Sequence, residues 1–75
     1  MSENGLSATI HSDLDYDHLV AEVCAGDQFL CLLDREEGPE DVRIAFPRSN
    51  GELGQSILLA EFVAYLQAAA ADLKR

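Results

Sequence analysis

At Ser56 the spacing of apolar residues changes, and this change divides the chain into two kinds of structure. After it, Leu59, Phe62, Val63, Leu66, Ala69, Ala70 and Leu73 recur at i, i+3, i+4 and i+7, one face of an amphipathic helix. The alanine-rich run adds helix propensity. Ser56 stands where an N-cap would accept an orphan backbone N–H, with Glu61 early and Lys74 and Arg75 late, in the senses the helix dipole favours.

Before Ser56 the periods are those of strands. Leu6 to Ser12 alternates Leu6, Ala8 and Ile10 with Ser7, Thr9 and His11. Aspartates at 13, 15 and 17 disfavour continuation, so 12–17 reads as a connection. Leu19–Ala25 and Gln28–Asp34 form a second and a third strand. Gly26-Asp27 between them suits a two-residue hairpin turn, since glycine takes positive φ without penalty. Val42–Phe46 is a fourth strand, which Pro47 ends by lacking a ladder donor. Residues 48–55, with Ser49, Asn50, Gly51 and Gly54, read as a mobile loop. The expectation is one α+β domain over 1–75: a four-stranded antiparallel meander, then a C-terminal helix packed on one sheet face.

If Ala25 faces Gln28, an uninterrupted ladder pairs Val23 with Leu30 and Ala21 with Leu32. With Leu32 opposite Ile44, these residues share the helix-covered face with Val42 and Phe46. The opposite face then holds Val20, Cys24, Phe29, Cys31, Leu33 and Ala45, with only Glu22 and Arg43 as charged residues. An antiparallel sheet with a solvated face is normally polar there. Three readings stay open: an interface, a cover made by the N-terminal segment, or a different register.

The chain carries 14 acidic and 5 basic side chains, a net charge of −9. The excess is local. Residues 1–17 hold four acids and no lysine or arginine, and 34–41 hold five acids and Arg35. Such turns either serve solubility or steer a basic partner. The balance argues against direct binding to nucleic acid or an anionic membrane, both of which would repel it.

Chemistry-bearing motifs are few. Asp13, Asp15 and Asp17 open like a calcium loop, but His18 stands where glycine is needed and Cys24 where glutamate is needed. Cys24 and Cys31 lack a second pair for zinc, and neither has the cationic surroundings that activate a thiol. His11 and His18 are solitary. No catalytic, metal or cofactor site is expected, and no enzyme. Two reduced thiols, no basic n-region near Glu3 and no long apolar span predict a cytoplasmic protein.

The stretches Leu19-Val20-Ala21-Glu22-Val23 and Phe29-Leu30-Cys31-Leu32-Leu33, then Glu36-Glu37-Gly38-Pro39-Glu40 and Ile44-Ala45-Phe46-Pro47, carry a resemblance. Residues 18–75 resemble small acidic bacterial proteins, some of which are similar to immunity proteins of contact-dependent or polymorphic toxin systems. That resemblance implies neutralisation of a toxin by direct binding, and it supplies no catalytic residue. The expected function is therefore a non-enzymatic protein-binding module, with a homodimeric structural or regulatory domain as the alternative. The candidate partner-binding residues are Asp34, Glu36, Glu37, Glu40 and Asp41 on the acidic turn, with Phe29, Val20 and Leu33 on the sheet. The expected partner is a basic protein or a second copy.

Overall fold

A computed structural model describes residues 5–74. Within them lie β1 (Leu6–His11), β2 (Val20–Ala25), β3 (Gln28–Asp34), β4 (Arg43–Ala45), β5 (Ile57–Leu58) and α1 (Leu59–Leu73). The strands form one antiparallel sheet in the order β1-β2-β3-β4-β5. This is the α+β meander with a C-terminal helix that the periods indicate, with five strands rather than four.

The fifth strand changes how the helix begins. Two residues are too short to show a period, so Ile57 and Leu58 look like helix in the sequence, yet they pair with Ile44 and Arg43. Ser56 does not cap α1. Its hydroxyl accepts from Arg43 Nε at 3.0 Å and its carbonyl from Arg43 Nη2 at 3.3 Å. The cap position is Leu58, and the Leu59 N–H donates to the Val42 carbonyl at 2.9 Å. Lys74 forms the C-cap, and Arg75 lies outside the described residues.

The Gly26-Asp27 turn forms as expected, with Gly26 at φ 59° and Ala25 opposite Gln28. The continuous ladder does not. Cys24 pairs with Phe29, but Val23 pairs with Cys31, which leaves Leu30 as an extra residue in a β-bulge. Leu32 consequently faces Glu22 and Ala45, while Leu33 faces Ala21 and Ile44. The sequence hides this shift because Leu30, Cys31, Leu32 and Leu33 are all apolar, so no alternation marks the spare residue. β2 and β4 keep their expected faces. In β3, Leu32 changes places with Cys31 and Leu33.

The buried residues divide between the faces: Val20, Leu32 and Ala45 on one, Cys31 and Ile44 on the other. The helix is not packed across either. It meets the sheet at its first turns, where the Phe62 ring lies 5.1 Å from that of Phe46 at 58°. None of its residues is buried, and Leu66 and Leu73 are 53% and 86% exposed. The radius of gyration is 13.7 Å, against about 11 Å for a compact chain of this length. A two-residue strand running straight into α1 leaves no turn that could fold the helix back over β1 to β3.

Residues 46–56 are not a loose loop. Pro47 bridges Leu53, Gly54 N–H donates to the Phe46 carbonyl at 2.8 Å, and the Asn50 side chain bonds Glu52 through both its oxygen and its nitrogen. Among the described residues no helix is long and apolar enough to cross a membrane.

Candidate functional site

Val20, Leu32 and Ala45 are buried on their face, and Tyr16 of the β1–β2 connection lines a recess there with Ala45. The β1–β2 connection turns at Asp13, whose Oδ1 accepts the Asp15 N–H at 2.8 Å and whose carbonyl accepts the Tyr16 N–H at 3.1 Å. Its far end is fastened from the β3–β4 turn: the two Glu36 carboxylate oxygens accept the Asp17 and His18 N–H groups at 2.8 and 2.9 Å. Charge-assisted bonds to two successive amides hold a connection that has no ladder of its own. Of the readings left open, a different register is the one observed, since the bulge moves Cys31 and Leu33 to the other face, and Val20 on this one is only 2% exposed.

Between this connection and the 46–56 segment lies a recess of about 570 Å³, lined by Tyr16, Asp34, Glu36, Glu37, Arg43 and Leu53 among others. Partial burial raises the Tyr16 phenol above its usual 10.0, and Asp34, Asp13, Asp15 and Glu36 push it further the same way. A phenol resists ionising where the local potential is negative. Arg43, the cation in the recess, directs Nε and Nη2 to Ser56. The site is thus a partly covered acidic surface with an aromatic ring set among its carboxylates, a combination suited to an ammonium or guanidinium group.

The sequence-derived candidates fall into three groups. Glu37, Glu40 and Asp41 are exposed acids on the turn. Asp34 and Glu36 are partly buried and bound within the fold, Asp34 Oδ1 accepting the Glu36 N–H at 3.2 Å. The apolar trio does not form one patch: the bulge places Phe29 with Val20 and Leu33 on the opposite face, and Val20 is enclosed. Tyr16 was missed because its membership depends on where Glu36 pins the connection, which no local pattern reveals. Cys31 is buried, and burial, then the nearby Cys24 thiol, raises its pKa above 9.0, which suits packing rather than nucleophilic work.

On the polar face of β1 and β2, His11 Nε2 lies 3.3 Å from Glu22 Oε2, close enough for ion pairing though not aligned as a hydrogen bond. The Nδ1–H donation to the Ser12 carbonyl is the main reason the His11 pKa is raised above 6.5, with Glu22 adding to it against some desolvation. A raised folded-state value means that this contribution to stability is full below 6.5 and lost as pH rises through the folded pKa. NMR titration is expected to place His11 above 6.5, and Glu22→Gln to lower it only partway, because the Ser12 bond persists.

No protein-family model, curated protein or solved structure matches the chain.

Proposed function

We propose that the chain is a non-enzymatic binding module of the immunity type, which occludes the cationic surface of a basic protein, a toxin in the leading reading. The observation that carries this reading is the acidic recess: Tyr16 ringed by Asp34, Glu36 and Glu37, with Asp13 and Asp15 close enough to influence its phenol. Glu37, Glu40 and Asp41 extend the same sign of charge outward along the turn. Such a field raises encounter rate and repels anionic competitors more than it deepens intrinsic affinity.

Capture on the immobilised chain from a lysate of its own source, at low and moderate salt, tests the reading. Recovery of a basic protein whose retention falls with salt supports it, and recovery of none at either salt sinks it. Glu37→Lys, Glu40→Lys and Asp41→Lys combined are expected to slow association with that protein by roughly 10-fold or more, with a much smaller change in dissociation. Stopped-flow binding at two ionic strengths reads both rates.

A further inference from the structure

The sheet has a second face, and it is open. Leu6, Ala8 and Ile10 of β1 continue across Ala25, Val23 and Ala21 of β2 to Leu33 of β3, with Cys31 and Ile44 as the buried residues of the same face. Ile10 is 62% exposed, and beside it Leu19, Ala21, Leu33 and Val42, with Asp34 and Arg35, line a recess of about 310 Å³. Val42 also borders a second recess formed with Glu40, Leu58, Leu59 and Val63, so a largely apolar surface runs from β1 to the start of α1. There the helix leaves the sheet edge, carrying Val63, Leu66 and Leu73 exposed.

One chain therefore holds a sheet face without a helix over it and a helix stripe without a sheet under it. The two are made for each other in chemistry, but the β5–α1 junction keeps them apart within one copy. We propose that they meet between copies: the α1 stripe of each protomer covers the β1–β3 open face of the other in a two-fold dimer, each contact occurring twice.

The surface area fits. The chain exposes 5959 Å², whereas a folded monomer of its mass exposes about 4,500 Å². An excess on the order of 1,000 Å² is what each partner of a standard interface, at roughly 800 Å², would remove from water. Charge bears on it as well. The Tyr16 recess lies on the opposite face, while Asp34 and Arg35 also line the Ile10 recess and Glu40 the Val42 one, so two chains of net charge −9 bring some carboxylates to this interface, a repulsion that salt screens.

Sedimentation equilibrium or light scattering on the full chain, from micromolar to sub-millimolar concentration, tests this. The expected species is twice the 8.2 kDa chain mass. Ile10→Lys and Leu66→Glu alter side chains already exposed in the protomer, so circular dichroism should be unchanged while each weakens the dimer by about 30-fold or more. Thr9→Lys, on the other face of β1, should leave the dimer intact; equal disruption by Thr9→Lys would mean edge-to-edge strand pairing and overturn the proposal. A monomer throughout the range, or a dimer that survives both Ile10→Lys and Leu66→Glu, overturns it too. Added salt should tighten the dimer by screening two acidic chains, the reverse of its effect on a basic partner, so failure of one reading is distinguishable from failure of the other.

Discussion

Leu32→Ala is expected to lower the free energy of unfolding by about 3 kcal/mol. The side chain is 5% exposed, flanked across the sheet by Glu22 and Ala45 on the face that also buries Val20. A chain of this size has only about 4 to 11 kcal/mol of stability in total, so the loss is a large share of it. Leu33→Ala, one residue on, should cost roughly 1 kcal/mol, because its side chain is half-buried on the open face. Urea unfolding of both variants in a Leu66→Glu background, where self-association does not contribute, provides the comparison. Equal costs would contradict the face assignment that the bulge imposes.

Glu36→Ala should release the β1–β2 connection at a cost of about 1–2 kcal/mol, discounted from the buried value because the Asp17 and His18 amides are exposed. Glu36→Gln keeps one acceptor oxygen and should lose about half as much. Hydrogen exchange gives the direct readout: amide protection at Asp17 and His18 should vanish in the alanine variant and persist partly in the glutamine variant. Unchanged exchange in Glu36→Ala would show that the connection is held by something else. The same residue adds charge to the acidic recess, so Glu36→Ala should also disorganise the setting of Tyr16, an effect that the exposed acid Glu37 would not produce on removal.

What the sequence made legible follows from how local each signal is. The helix, the first four strands and the Gly26-Asp27 turn rest on periods and turn chemistry contained within a few residues, and each appears close to its expected bounds. The concentration of charge on the 34–41 turn is likewise a matter of counting. The bulge was invisible because an apolar run carries no phase. β5 is shorter than one full alternation. The seating of the β1–β2 connection and the inclusion of Tyr16 depend on hydrogen bonds between Glu36 and residues 18 and 19 positions earlier. The expectation that α1 would pack across its own sheet failed for a geometric reason: the two-residue β5 runs straight into α1, and an amphipathic stripe does not say where the strand before it will place it.

The bulge also has a consequence for insertions and deletions. Leu30 is the one β3 residue that the ladder does not use: with it removed, Phe29 would still oppose Cys24, and Cys31 would still oppose Val23. A shortened chain lacking Leu30 could therefore keep both faces as they are, losing only the local twist. Deletion of Cys31, Leu32 or Leu33 would instead reverse the side chains that follow, unless the bulge migrated to absorb the change. Any related chain that builds this meander without a bulge should be one residue shorter between the Gly26-Asp27 turn and the position of Cys31. Its alignment to this one would then require a single gap at Leu30.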